Sequence, residues 1–205
     1  MTDSRIAVQA TGRVRVRPDL ARVHVTCLVK RPAAALAFDD CSEATRSVLA
    51  ALGAAQIADG DLATSGIDLS RQHDDGSYVA TNSLVVVVRP PERVGAVLRA
   101  AVEAGGDAVS IGRLDFDIAD RHDAESDART HAVQQARRKA EQLATAARVA
   151  LGPLLLLSEG GMQSEPSRRV RAAAAFSGGP PVEVGEHTIA VTVTAEFEIA
   201  GHSRT

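Results

Sequence analysis

Three groups of acidic and histidine side chains in this sequence of 205 residues have the types that metal binding or proton transfer requires. They are His73-Asp74-Asp75, His122-Asp123 with Glu125, and Asp115 with Asp117. Turns favour Asp, the first turn of a helix favours acids, and alternate acids mark the solvated face of a strand. The residue types favour these structural roles. The alternative is a small-molecule or metal-binding enzyme site, built from Asp115, Asp117, His122 and Asp123.

Longer motifs that would identify a reaction are absent from the sequence. It contains no G-x-S-x-G elbow, no P-loop, no G-x-G-x-x-G, no H-E-x-x-H and no C-x-x-C. Nothing in it combines a nucleophile, a base and a group that orients the base. We therefore predict a protein that is not an enzyme, with no catalytic, cofactor-binding or metal-binding residues and no cofactor.

The composition argues against nucleic acid as a partner. Aromatic residues make up 2% of the chain, with no Trp and a single Tyr, so it lacks the stacking surfaces that single-stranded nucleic acids need. The net charge of −3 gives no field that attracts polyanions. RNA binding through Arg168-Arg169-Arg171 is a further hypothesis, but polar loop surface explains this cluster better. The lone Tyr78 is typical of a packing anchor.

The two cysteines and the first residues bear on the cellular compartment. Cys27 falls on the apolar face of an alternating segment and Cys41 falls in a helical one, which predicts free thiols rather than a redox pair. The first nine residues contain no apolar h-region, and the longest apolar runs are too short to cross a bilayer. The sequence therefore predicts no signal peptide, no membrane span and a cytoplasmic protein.

Hydropathy periodicity predicts seven strands, three helices and one long loop. In chain order they are strands over 5–17 and 23–29, a helix over 33–52, strands over 61–72 and 78–89, a helix between Pro91 and Gly105, a strand over 111–118, a helix over 121–149, a strand over 154–157, a mobile loop over 160–183 and a strand over 188–199. We predict an α+β fold with helices on one face of a mixed sheet built from ββα units, in the order β-β-α-β-β-α-β-α-β-β. Residues 1–205 then form a single domain.

Several elements carry expectations about pairing and burial. The first two strands should form a hairpin across Pro18-Asp19, and the run 84–88, apolar on both faces, should lie in the centre of the sheet. The residues expected to face the core are Leu62, Ile67 and Leu69 in one strand and Leu154 to Leu157 in another. Alanine recurs at every fourth position from 124 to 144, which indicates a helix that packs closely on its neighbour. Arg137 and Glu141 should pair on that helix.

Five segments, in this order, resemble motifs of one family. They are Val8–Ala21, which is similar to V-x-G-x-G-x-V-x-x-x-P-D-x-A with Ala10 in place of the first Gly, then Asp61–Ser65, Tyr78–Asn82, Ala104-Gly105-Gly106 with Asp115-Phe116, and Ala132–Glu141, which is similar to A-x-x-x-A-R-x-K-A-E. The family is the SIMPL domain family of bacterial periplasmic and outer-membrane immunogenic proteins. The resemblance covers about 6–199.

The resemblance implies a protein without catalytic activity. Members of the family look like periplasmic or outer-membrane-associated proteins, some are linked to oxidative-stress tolerance, and one forms a large homo-oligomer. No catalytic residues are carried over from the family. The sequence and the resemblance together favour a self-associating interaction protein, in which amphipathic strands and the alanine-ridged helix pair between subunits.

Overall fold

The computed structural model describes residues 4–167 and 184–200 of the chain. The elements within them are β1 (Arg5–Val16), β2 (Leu20–Arg31), α1 (Ala34–Ala54), β3 (Leu62–Arg71), β4 (Tyr78–Val88), α2 (Val94–Gly105), β5 (Val109–Asp117), α3 (His122–Ala147), β6 (Ala150–Ser167) and β7 (Glu186–Ala200). The α+β class and the predicted element order are confirmed. The single mixed sheet is wrong, because the strands form two antiparallel sheets with the orders β1-β7-β6 and β3-β4-β2-β5.

The described residues group into two compact units. The three-stranded unit consists of 4–17, 120–167 and 185–200, and the four-stranded unit consists of Pro18–Ala119. The prediction of a single domain over 1–205 stays a prediction.

In the four-stranded unit, α1 and α2 pack on one face of the sheet. Alternate residues of β2 point into this core, and Val23, Val25 and Cys27 are buried there. Every second residue of β4 from Leu84 to Val88 is buried against the same helices. The central position predicted for the run 84–88 is confirmed, since β4 lies between β3 and β2.

The predicted hairpin between the first two strands is wrong. β1 pairs along its whole length with β7, while β2 pairs with β4 and β5. The Asp19 N–H donates to the Asp117 carbonyl oxygen (3.1 Å), and Asp19 Oδ1 accepts from the Ala119 N–H (2.8 Å). These bonds hold the start of β2 against the end of β5. The first of the predicted ββα units fails with the hairpin, whereas β3 and β4 do pair with each other ahead of α2.

The three residues predicted to face the core from β3 lie on the predicted face of the strand, but two of them are not buried. Leu62 is partly buried, whereas Ile67 is 65% exposed and Leu69 is 44% exposed. Leu69 lies opposite the buried Ala80, so it does face the helix side of the sheet. The burial prediction fails at both residues because β3 is an edge strand and α1 packs over β2 and β4.

In the three-stranded unit, α3 packs over β1 and β7. The predicted alanine stripe is confirmed from its second member onward: Ala128, Ala132, Ala136, Ala140 and Ala144 are all buried. They meet the alternate apolar residues of β7 from Ile189 to Phe197, which are also buried. The stripe therefore packs inside the subunit and is not available for pairing between subunits.

Gly12 of β1 sets how closely α3 approaches the sheet. A Cβ atom at this position would lie 2.0 Å from the Ala128 carbonyl oxygen and 2.4 Å from the Ala132 backbone nitrogen. Only a residue without a side chain fits between the two backbones. Lys139 Nζ also donates to the Gln9 carbonyl oxygen (2.8 Å), so the next turns of α3 are tied to the same strand.

Two predictions about β6 are corrected. The strand predicted over 154–157 runs from Ala150 to Ser167, so residues 160–167, which were expected in a mobile loop, belong to the strand. The remainder of that predicted loop, 168–183, lies outside the described residues, as does the cluster Arg168-Arg169-Arg171. The expected burial of Leu154 to Leu157 is wrong, because each of the four side chains is about half exposed.

Candidate functional site

The most distinctive surface of the three-stranded unit is the row of four leucines in β6. The exposed fractions of Leu154 to Leu157 lie between 45% and 53%. β6 pairs with β7 on one side and forms the edge of its sheet on the other. An edge strand has unpaired backbone N–H and C=O groups that can join another strand.

The leucines lie on both faces of the sheet. Leu154 is opposite Phe197 and Leu157 is opposite Ala195, and both partners are buried beneath α3. Leu154 and Leu157 therefore point to the helix side. Leu156 is opposite Glu196 on the other face, and the register is irregular between Leu154 and Leu156.

One flank of α3 continues this apolar surface. Arg129 Nε donates to Glu159 Oε2 (3.1 Å), which places this turn of α3 beside the middle of β6. Val133 follows Arg129 by one turn and is 39% exposed, so it lies on the same flank of the helix. Leu143, which is 50% exposed, follows Lys139 by one turn, and since Lys139 bonds to β1, Leu143 lies on the other flank of the helix.

The helix and the strand run in opposite directions, because only a short turn joins the end of α3 to the start of β6. From Arg129 to Val133, α3 rises about 6 Å, which corresponds to about two strand residues before Glu159. Val133 is thus placed near Leu157. We call Val133 and Leu154–Leu157 the apolar edge.

The residues predicted as carboxylate partners in β5 have structural roles. Asp115 Oδ2 pairs with Arg113 Nε (2.5 Å) on the same strand. Asp117 Oδ1 accepts from the Ile118 N–H (2.9 Å) where β5 ends. Both aspartates belong to the four-stranded unit.

His122 and Asp123 lie in the first turn of α3, in the three-stranded unit. The His122 N–H donates to Asp120 Oδ1 (2.8 Å), which satisfies a backbone donor that the helix start leaves open. Asp123 and Glu125 lie where acids complement the helix dipole. Within 4–167 and 184–200, the structure brings together no group of three or more His, Cys, Asp and Glu side chains that could hold a metal ion.

The turn between β3 and β4 is stabilised by Asp75. Its Oδ2 pairs with Lys30 Nζ (2.6 Å), and its Oδ1 accepts from the Ser77 hydroxyl (2.5 Å) and the Ser77 N–H (3.0 Å). The Lys30 ammonium, with the bonds from Ser77, holds the pKa of the Asp75 carboxyl well below its usual range. Gly76 adopts the left-handed conformation that the turn requires (φ 68°). This arrangement confirms a hairpin turn at this position.

The remaining polar predictions are surface contacts. The Arg71 guanidinium lies 6.0 Å from the centre of the Tyr78 ring, at the end of the same hairpin. Arg137 Nε donates to Glu141 Oε1 (3.1 Å), which confirms the predicted pair on α3. Exposed pairs of this kind contribute about 0.2–1 kcal/mol to the free energy of unfolding.

Cys27 and Cys41 are free thiols, as predicted, and both are buried in the four-stranded unit. Burial raises the pKa of each thiol, since the thiolate would lose its hydration.

Comparisons with known proteins assign the chain to a family. The SIMPL family, described as a protein of unknown function (DUF541), matches residues 6–197. A 26 kDa periplasmic immunogenic protein of Brucella abortus (strain S19) is 32% identical over 216 residues, which cover 96% of this chain and 85% of that protein. A protein of the same name from Brucella melitensis biotype 1 has the same identity and coverage.

These names correct the predicted location. Both relatives are named periplasmic proteins, so the expectation of a cytoplasmic location is wrong. That expectation was based on the lack of an apolar run in the first nine residues, which is weaker evidence than similarity along nearly the whole chain. None of the helices in the described part of the chain is long and apolar enough to span a membrane.

Proposed function

The chain belongs to the SIMPL family, and we propose that it is a periplasmic protein without catalytic activity that associates with further copies of itself through the apolar edge. Similarity to two proteins named as periplasmic supports the location. The exposed leucines of β6 support the association, since soluble proteins rarely leave a contiguous apolar strand uncovered unless it binds something.

The charge pattern of the sheet edges carries this proposal. Charged side chains on an edge strand prevent it from pairing with another edge. Among the edges in the described part of the chain, β1, β3 and β5 all have them: Arg5, Arg13 and Arg15; Asp68 and Arg71; Arg113, Asp115 and Asp117. The first nine residues of β6, 150–158, include no charged residue. This stretch therefore lacks the charged side chains of the other edges, and it is interrupted instead by Pro153 and by an irregular register between Leu151 and Leu156.

A second copy of the chain fits this edge by symmetry. Two identical edge strands can pair antiparallel about a two-fold axis, because each then offers the other the same surface. An axis between Leu155 and Leu156 places Leu154 of one copy opposite Leu157 of the other. The leucines on both faces of the sheet would then each lie beside a leucine of the other copy, and the two sheets would join into one.

The size of the surface sets the expected strength. Full burial of a leucine side chain contributes about 1.5–3 kcal/mol, so covering the exposed half of each gives about 1 kcal/mol. Four leucines from each of two copies therefore give at most about 8 kcal/mol, which is within the roughly 4–15 kcal/mol that association costs in lost freedom of motion. Backbone hydrogen bonds between the strands add to this gain. We therefore expect association that depends on protein concentration.

Light scattering coupled to gel filtration, over a range of concentrations, tests the proposal. The wild-type mass should rise above that of the 21.4 kDa chain as concentration increases. Leu155→Lys and Leu156→Lys should each hold the protein at the monomer mass, because a buried, unpaired ammonium is costly. Leu36→Lys is the matched control, since Leu36 is 52% exposed on α1, and it should behave as wild type. A wild-type protein that stays monomeric throughout, or a control that dissociates equally, would contradict the proposal.

A role in oxidative-stress tolerance, which the family resemblance implies, stays a prediction. We expect a strain without the gene to survive peroxide less well, and to be rescued by the wild-type gene but not by Leu156→Lys. Rescue by both genes would separate the stress role from self-association.

A further inference from the structure

The buried thiols of the four-stranded unit lie on two elements that pack directly against each other. Cys27 points from β2 into the core between Val25 and Val29, and Cys41 points from α1 toward the sheet, in the buried stripe of that helix. Their exposed fractions are 0% and 4%. Neither thiol belongs to the apolar edge, which lies in the other unit.

The two residues are in contact. Cys41 Sγ lies 3.5 Å from the carbonyl oxygen of Cys27. Since that oxygen is less than about 2.8 Å from its own Cα, the Cys41 sulfur lies within about 6.3 Å of the Cys27 Cα atom. Disulfides form between residues whose Cα atoms are about 4.4–6.8 Å apart, and a Cys41 sulfur this close to the Cys27 backbone is compatible with that spacing.

The same small group of side chains surrounds both sulfurs. Thr45, buried one turn after Cys41, donates its hydroxyl to the Cys41 carbonyl oxygen (2.8 Å), and the same side chain is close enough to both thiols to offset part of the rise in their pKa values. Asn82, which is opposite Cys27 in the ladder, has a buried Oδ1 without a hydrogen-bond partner. Both thiols therefore line one polar spot in an otherwise apolar core.

We propose that Cys27 and Cys41 form an intramolecular disulfide that joins β2 to α1 when the chain meets a disulfide oxidant. One cysteine thiolate attacks a sulfur of the oxidant and releases one small thiol, which leaves a mixed disulfide. The second cysteine thiolate attacks the protein sulfur of that mixed disulfide and releases the other small thiol. The two cysteines lose two electrons and two protons, the oxidant gains both, and one bond between Cys27 Sγ and Cys41 Sγ results.

The chain favours this pairing over others. The cysteines are 14 positions apart, and only the end of β2, a short turn and the start of α1 separate them. They are also the two cysteines of the whole sequence, so intramolecular pairing has one possible product. Because burial disfavours the thiolate of both, exchange is slow in the closed core and proceeds when α1 separates from β2, during folding or local opening.

Mass spectrometry of the whole chain tests the proposal. The reduced protein is unfolded and refolded in buffers of graded ratios of reduced to oxidised glutathione, and free thiols are then labelled with a maleimide in denaturant. Both thiols should be lost together as the buffer becomes oxidising, in a monomeric chain lighter by two hydrogens and with the far-UV circular dichroism of the reduced protein. Its melting temperature should be higher than that of the reduced protein.

Cys27→Ala and Cys41→Ala serve as controls and should give a glutathione adduct or one free thiol, without the loss of two hydrogens. The wild-type readout does not depend on these variants folding. A wild-type chain that keeps two labelled thiols in every buffer would overturn the proposal. So would one that forms mainly glutathione adducts or intermolecular bridges, or whose bridged form does not regain its circular dichroism.

Discussion

Replacing Gly12 with Ala tests the contact that positions α3 on its sheet. The new Cβ atom would lie 2.0 Å from the Ala128 carbonyl oxygen, 2.4 Å from the Ala132 nitrogen and 3.0 Å from the His131 carbonyl carbon. All three atoms belong to the backbone of α3, so none can move aside as the end of a side chain does. The helix as a whole has to move away from β1.

The geometry gives the size of the effect. Unstrained contacts of carbon with other heavy atoms are about 3.5 Å, so α3 must move by about 1.5 Å. A gap of about 0.5–1 Å already removes a quarter to a half of the dispersion energy between packed surfaces. Extra atoms in packed cores cost about 1–3 kcal/mol when side chains can adjust. Since only backbone is in contact here, we expect Gly12→Ala to lower the free energy of unfolding by about 3 kcal/mol or more.

Urea unfolding followed by far-UV circular dichroism measures this loss. Gly66→Ala is the matched control, because Gly66 also lies in a strand but a Cβ atom there meets nothing within 4 Å. That control should be neutral or stabilising by up to about 1 kcal/mol, as alanine reduces the freedom of the unfolded chain. If Gly12→Ala changes stability by less than about 1 kcal/mol, or if both variants lose the same amount, the close approach of α3 to β1 is not what the glycine provides.

Three further predictions follow from other contacts described above. Ala136→Leu adds volume to the buried stripe of α3 and should lower the free energy of unfolding by about 1–3 kcal/mol in the same urea assay, whereas a neutral effect would mean that α3 packs loosely. A double-mutant cycle of Arg129→Ala and Glu159→Gln should give a coupling below about 1 kcal/mol, because both side chains are about 40% exposed, and a larger coupling would contradict an exposed pair. The Lys30 ammonium lowers the pKa of Asp75, so the pair stabilises the fold above the unfolded-state pKa of about 3.9, and this stabilisation is lost as the pH falls below it. Asp75→Asn should therefore lower the melting temperature slightly at neutral pH and not in acid or high salt, and an equal difference at every pH would refute the pairing.

Hydropathy periodicity correctly predicted the features that depend on a single element and not on its partners. The alanine repeat of α3 and the alternation of β7 follow from the geometry of a single helix and a single strand, and the buried residues of both are those that the pattern indicates. The turn at Asp75-Gly76 was predictable for the same reason, since a hairpin turn depends on a few adjacent residues. The corresponding prediction for Pro18-Asp19 failed because that segment bonds to the end of β5, about 100 residues away.

The pairing of β1 with β7 could not be predicted from hydropathy periodicity. The two strands are separated by most of the chain, and β1 is as suitable a partner for β2 by alternation as it is for β7. What distinguishes the partners is the helix that covers them, because Gly12 and the alanine stripe bring α3 onto β1 and the adjacent strand. The family resemblance predicted membership and not this topology.

The exposure of the apolar edge follows from the width of a helix compared with the width of the sheet beneath it, which no single sequence segment determines. A helix is about 10 Å across and strands are spaced about 4.8 Å apart, so one helix covers about two strands. In the described part of the three-stranded unit, one helix lies on a sheet of three strands, so it leaves one edge strand without a helix over it. Gly12 is in β1, so the close approach draws α3 toward β1 and leaves β6 as the uncovered strand. A run of four leucines is typical of a buried strand when it is considered alone. The four leucines are half exposed because of the position of Gly12, more than 140 residues earlier in the chain. The surface that we propose for self-association is therefore apparent only in the folded chain.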